Sequence, residues 1–258
     1  MCLILFAFKH HPDYPLVIAS NRDESYDRPT AAAQFWQDYP TIFAGRDLKA
    51  KGTWMGISKN GRFAAVTNFR EGSKSTGEFL SRGDLTTHFL NSTESTVECL
   101  EKIKDNQKRY AGFNLLAGEF SKQRSHLYYF SNRQNKIEEI EPGIHGLSNG
   151  SLNQPWPKVV NGKRALELSI KNTPQAKSIL PILLDSEVAD DKLLPDTGVD
   201  KELERVLSSR FINTESYGTR ASTVLTLSDK NEVCFYEQEF LRGGKRGILN
   251  DQKFTLNS

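Results

Sequence analysis

The tightest local constraint on the fold of this chain is a turn. Asn60-Gly61 sits between two strand-like runs, Thr53-Trp54-Met55-Gly56-Ile57-Ser58 and Arg62-Phe63-Ala64-Ala65-Val66-Thr67. An Asn-Gly pair supplies the positive φ that a tight hairpin needs at little steric cost. A two-residue turn at 60 and 61 sets Thr53 across from Asn68 and puts Asn68 at the open end of the hairpin. The start of the chain reads as a second hairpin: residues 2–8 and 16–19 are rich in Leu, Ile, Phe and Val, and the HHPDYP stretch between them has turn chemistry. With the loop centred between residues 12 and 13, Cys2 faces Asp23, to within about two residues.

Further along, apolar residues recur at helical spacing over 77–90 (Phe79, Leu80, Leu85, Phe89) and 96–108 (Val97, Leu100, Ile103). Strand-like runs follow at 112–116, 127–131, 136–140 and 144–149, then a helix over 157–171. Thr173-Pro174 reads as the cap and first residue of another helix. Residues 185–199, rich in Asp and Pro, read as a surface excursion, 201–209 as a short helix, and 222–228, 232–237 and 245–256 as strands. Strands, then helices, then strands and helices again predict a layered α+β single domain spanning residues 1–258 rather than a parallel βαβ array. With 258 residues, 37% of them hydrophobic, the chain can bury a core of that size.

The same composition excludes several classes. The 34 basic and 32 acidic residues nearly cancel, giving +2, and no Lys/Arg block could neutralise a stripe of phosphates, so nucleic acid is excluded as a partner. Cys2, Cys99 and Cys234 are too few and scattered for a disulfide framework or a zinc site, which points to a reducing cytoplasm. The apolar start has no basic n-region and no small-residue cleavage site, and no run nears the ~20 apolar residues of a transmembrane segment.

Cys2 is the chemically distinctive position. Removal of Met1 would give one residue both a thiol and a free α-amine, which titrate near ~8.5 and ~7.7–8.0, so the amine could take the thiol's proton. An attacked carbonyl also needs donors aimed at the developing oxyanion. Asn21, Arg22, Asp23 and Glu24 supply an amide, a cation to favour thiolate and a carboxylate to orient an amine. On residue type alone, a Cys in an apolar run is equally a small buried hydrophobe, and Asn21 to Glu24 a solvated strand end. His10-His11, His126, His145 and the Arg242-Gly-Gly-Lys-Arg246 stretch read as surface features. Trp54, Phe69 and Trp156 read as core or as the lining of an apolar pocket.

Met-Cys followed by SNRDE resembles the NRDE-motif family, also called the transport and Golgi organisation protein 2 family. GRDLKAKGTWMGISKNGRFAAVTNFRE, HGLSNGSLNQPWPKV and YGTRASTVL resemble its later signatures. That family is similar to the cysteine N-terminal-nucleophile hydrolases, which implies a four-layer αββα sandwich. The resemblance further implies Cys2 as nucleophile, Arg22 as the cation beside the thiolate and Asp23 as anchor of the α-amine. It implies Asn68 and Asn149 as oxyanion donors and Arg220 as a late arginine completing the site. Adjacent residues of a regular strand point to opposite faces, so the anchor is Asp23 alone or Asp23 with Asn21 or Glu24.

Two functions fit these residues. One is cleavage of an amide or thioester through Cys2, which requires no cofactor. The other is non-catalytic carriage of a small hydrophobic or acyl-conjugated ligand, haem or acyl-CoA, in the same cleft.

Overall fold

The structure, a computed structural model, describes residues 2–72, 77–121 and 123–257. Strands β1 (Cys2–His11), β2 (Tyr14–Ser25), β3 (Thr30–Phe35), β4 (Ile42–Asp47), β5 (Met55–Ser58) and β6 (Arg62–Asn68) come first, followed by helices α1 (Gly83–Asn91) and α2 (Thr96–Asp105). Next come β7 (Phe113–Phe120), β8 (Ser125–Ser131), β9 (Lys136–Glu139) and β10 (Gly143–Leu147), then α3 (Pro157–Ser169), α4 (Ala176–Leu183) and α5 (Lys201–Leu207). Strands β11 (Tyr217–Leu227), β12 (Glu232–Phe240) and β13 (Arg246–Thr255) follow.

The strands form two antiparallel sheets, ordered β10-β1-β2-β11-β12-β13 and β3-β4-β5-β6-β7-β8-β9. Alternation along each strand divides the apolar residues between two cores. Ile4, Phe6, Phe8, Leu16 and Ile18 face Phe43, Met55, Ile57, Phe63 and Leu116 between the sheets. Their neighbours Leu3, Leu5, Ala7, Val17 and Ala19 pack beneath α3 and α4 with Val159, Leu166, Ile179 and Leu183. On the far side, Ala64, Leu115 and Ala117 pack beneath α1 and α2 with Leu85, Phe89 and Leu100. A strand buried on both faces has to be apolar at nearly every position, which is why β1 reads LILFAF. The result is the expected α+β four-layer αββα sandwich.

Several local expectations are corrected. Cys2 pairs with Arg22, not Asp23. The register slips by one residue between Phe8 and His11, at a bulge where Lys9 has φ +47°. The second hairpin closes through Gly61 N to Ser58 O at 2.9 Å, and Met55 pairs with Ala65 and Ile57 with Phe63. Its loop is therefore Lys59-Asn60-Gly61, with Gly61 at φ +79°, a type I turn plus left-handed glycine rather than a two-residue turn. Asn68 does end β6, but lies across from Phe113 and not Thr53. Helix α1 starts at Gly83, so 77–82 is not helical: Leu80 N bonds Arg109 O at 3.0 Å, leaving Phe79 and Leu80 about 40% exposed. Helix α4 is capped by Gln175, two residues after Thr173.

Candidate active site

Directly opposed residues of an antiparallel pair point to the same face. Cys2 and Arg22 accordingly share the face that looks toward the other sheet, and both line a cleft of about 750 Å³. Its walls include Glu24, Trp54, Asn68, Phe69 and the segment 79–83. Arg22 is held from three sides. Its guanidinium lies 4.3 Å from the Trp54 ring centroid, Nη1 donates to Thr30 Oγ1 at 3.1 Å, and Nη2 is 3.9 Å from Asp47 Oδ2. Asp47 is itself fixed by Arg28 Nε at 2.6 Å and by the backbone N–H groups of Lys49 and Ala50 at 2.9 Å. Trp54 can lie flat there because residue 45 is glycine; a Cβ would sit 2.3 Å from its Cη2.

Asp23 turns to the other face, toward the helices, and is 2% exposed. Thr219 Oγ1 donates to its Oδ1 at 2.7 Å and Tyr217 OH donates to its backbone carbonyl at 2.7 Å. Asn21, one pleat earlier on that face, is a clamp: Nδ2 donates to Leu183 O at 2.8 Å and Arg210 O at 2.7 Å, and Oδ1 accepts from Ser222 at 2.6 Å. Glu24 shares Arg22's face, so the alternative anchors divide, Asn21 to the helix layer and Glu24 to the cleft.

Burial pushes the Cys2 thiol up and the Asp23 charge adds to that; the charge of the amino terminus, the backbone N–H of Asp23 and, least, Arg22 oppose it without prevailing, so the thiol keeps its proton at neutral pH. A thiol in this state attacks a carbonyl only with the help of a base. Burial also raises Asp23, against the charge of the chain's amino terminus first, then Lys158, the Thr219 hydrogen bond and Arg22. Lys158, 4% exposed on the first turn of α3, is drawn down by burial to about 8, with Asp23 the strongest opposing charge.

Asn68 lines the cleft, whereas Asn149 is fully buried at its back. Asn149 Nδ2 donates to Asn68 O at 2.9 Å and Asn149 O accepts from Arg70 N at 2.6 Å. Thr67 Oγ1 donates to Ser148 O at 2.6 Å, and Ser148 Oγ donates to the Cys2 carbonyl at 3.1 Å. The Ser148-Asn149 pair thus ties the end of β6 to the head of β1. Arg220 is the extra residue of a bulge in β11, between Thr219 opposite Asp23 and Ala221 opposite Arg22. Bulges re-aim side chains, and Arg220 Nη1 donates to the carbonyls of Ser25, Tyr26 and Arg28 at 3.0–3.2 Å. It braces the loop carrying Arg28 and is not part of the cleft lining.

The sequence reading missed Lys158, Arg70, Glu204, Thr219 and Tyr217. Lys158 had a signal: at helical spacing it shares a face with Gly162 and Leu166, both buried. Trp156, expected as core or pocket wall, is core and lies 5.0 Å from Arg70. Among the described residues no cluster of His, Cys, Asp or Glu could hold a metal, and no helix is long and apolar enough to cross a membrane.

Residues 1–242 match the family described as Transport and Golgi organisation 2. The Transport and Golgi organization 2 homolog of Mus musculus is 31% identical over 277 residues, covering 100% of both chains. The Transport and Golgi organization protein 2 homolog of Bos taurus is 33% identical over 259 residues, covering 93% of this chain and 94% of that one. Among solved structures, a Caenorhabditis elegans N-acylethanolamine-hydrolyzing acid amidase ortholog superposes with a TM-score of 0.51 at 10% identity, over 87% of this chain and 92% of that one. At that identity the likeness is one of fold: the sandwich is of the N-terminal-nucleophile hydrolase type.

Proposed function

The chain belongs to the Transport and Golgi organisation 2 family, and on that footing we propose that its cleft cleaves an amide or thioester with Cys2, freed of Met1, as nucleophile. The observation that carries this reading is the placement of Cys2 at the head of β1, paired with Arg22 and opening into the cleft, with Asp23 on the strand beside it.

The thiol keeps its proton at rest, so the reaction begins with transfer of that proton to the neutral Cys2 amine. Sulfur then forms a bond to the substrate carbonyl carbon. Asn68, at the cleft wall, donates to the oxyanion, and Asn149 holds Asn68 in place through its backbone carbonyl. The protonated amine, anchored by Asp23, returns its proton to the departing nitrogen or sulfur as that bond breaks. Water then attacks the thioester with the amine again as base, releasing the acid and regenerating the thiol. Arg22 stays stacked on Trp54 and favours the developing thiolate.

Intact mass tests the premise, since retention of Met1 leaves Cys2 without a free amine. The processed protein should take up one equivalent of an electrophilic acyl probe at Cys2. Cys2→Ala should remain folded, and its labelling should fall to background. A processed but unlabelled wild-type protein would overturn the hydrolytic reading.

A second reading is supported by the juxtaposition of Phe69, Phe79 and Leu80 with Arg28 and Arg82 on the cleft wall. These suit an amphipathic anion, haem or an acyl-CoA, carried without cleavage. It predicts that the Cys2→Ala protein still binds such a ligand at micromolar affinity; a flat titration with both ligands excludes it.

A further inference from the structure

Behind Cys2, on the helix-facing side of β2, four ionisable side chains crowd into a nearly dry space. Asp23, Lys158, Glu204 and Arg70 are each no more than 7% exposed. Glu204 is held by Arg70 Nη1 at 2.6 Å and also accepts from Thr197 N at 3.2 Å. Lys158 Nζ donates to Leu207 O at 2.8 Å. Arg210, three residues after Leu207, offers its carbonyl to Asn21 Nδ2 at 2.7 Å. Asn21 and Asp23 are one pleat apart on the same face of β2. The segment 207–210 therefore brings the Lys158 ammonium to that side of β2, within reach of the Asp23 charge. Arg70 is held by Glu204 and also acts on Asp23, while Lys158 brings the charge of α3 to it. Arg22 acts on Asp23 only from the opposite face.

This arrangement solves a problem posed by the hydrolytic reading. The Cys2 amine can accept the thiol's proton only while neutral, and a neutral amine gives a buried carboxylate no compensating charge. Burial would then draw a proton onto Asp23, and the amine would lose its anchor when it is needed.

We propose that Lys158 is a positioning residue whose fixed ammonium, seated by Leu207 O, keeps Asp23 ionised while the Cys2 amine alternates between neutral and protonated. The inference rests on the hydrolytic reading for its purpose and on the buried cluster for its placement. Lys158 acts through Asp23 and does not touch the substrate. Besides burial, the charges that act on Lys158 are Asp23 and Arg70, then Cys2 from the cleft side of the sheet and Glu204 on α5. Because Lys158 titrates at about 8, the device weakens above that pH.

The test reads Asp23 directly. Full-length protein labelled at aspartate Cγ is titrated by carbon NMR, with Asp23→Asn identifying the resonance. Lys158→Gln removes the charge but keeps a donor for Leu207 O; Lys158→Arg keeps the charge. The Asp23 midpoint should rise by about one pH unit or more in Lys158→Gln and return toward wild type in Lys158→Arg. Coupling is reciprocal, so in Asp23→Asn the Lys158 midpoint, followed at labelled Cε, should fall from its wild-type value. That measurement needs no Lys158 variant to fold. An Asp23 midpoint unmoved in a folded Lys158→Gln, or a Lys158 midpoint unmoved in Asp23→Asn, overturns the inference. In the acyl-probe assay, the acid limb of the Cys2 labelling profile should move with Asp23. If the wild type is never labelled, the hydrolytic reading falls, while the two NMR titrations still judge Lys158.

Discussion

At the scale of single residues, the charges around the cleft are set in places where water cannot screen them. Glu237 shows what that costs outside the cleft. It is 3% exposed on β12 and reaches across to the other sheet, accepting from Ala33 N at 2.9 Å and from Thr223 Oγ1 at 3.2 Å. Ala33 lies in the register break of β3, and its carbonyl accepts from Asn250 Nδ2, so side chains of one sheet satisfy a bulge in the other. Burial raises Glu237, with those hydrogen bonds opposing. Below the ordinary Glu range both folded and unfolded states hold the proton. Above it the unfolded state releases the proton first, so stability declines as pH rises toward the raised native value. Glu237→Gln keeps the acceptor for Ala33 N and supplies an N–H to Thr223 Oγ1. Thermal unfolding should show the variant more stable than wild type at pH 7, with the gain gone near pH 4.

At the scale of elements, glycines and bulges decide registers that the apolar pattern leaves open by a residue or two. Gly61 closes the β5–β6 hairpin in the left-handed region, and a Cβ there would lie 2.0 Å from the Phe120 carbonyl oxygen. Gly243 also has positive φ, +74°, but a Cβ would meet nothing within 4 Å. Gly243→Ala should therefore cost about 1–2 kcal/mol, the conformational penalty alone. Gly61→Ala should cost clearly more, because it adds a clash with backbone that β7 holds in place; urea denaturation of the two variants measures the difference. The segment 77–82 teaches the converse. Phe79 and Leu80 have helical spacing, yet they lie in a non-helical segment along the cleft, where Leu80 N bonds Arg109 O. Periodicity reports where apolar side chains recur, and here they recur on a cleft wall and not on the buried face of a helix.

At the scale of the whole molecule, the Arg70–Glu204 pair joins the end of β6, in one sheet, to α5 on the other side of the sandwich. Arg70 also lies 5.0 Å from the Trp156 ring centroid, and its N–H bonds Asn149 O. Breaking a buried pair on one side leaves an uncompensated charge, so Glu204→Gln should lower unfolding free energy by about 3–5 kcal/mol in chemical denaturation. The loss should exceed that of Glu138→Gln, whose pair with Lys136 at 2.7 Å is exposed.

The sequence by itself determined most of the strands, though not β3 or β4, together with the two opening hairpins and the two-faced burial of β1, because side-chain alternation and turn chemistry are local. It also brought Cys2 to within one residue of its partner and put Asn68 at a strand end. Only the tertiary structure decided which of Arg22 and Asp23 shares a face with the thiol. One extra residue near Lys9 reverses that answer, and where a bulge falls depends on the neighbouring strands. The bulge at Arg220 turned an arginine expected in the site into a brace for the loop behind it. Lys158, Arg70 and Glu204 are far apart in the chain and carry no shared motif. Their closeness to Asp23 exists only once β2, α3 and α5 are stacked, because the interaction that joins them is charge in a space from which the fold has removed water.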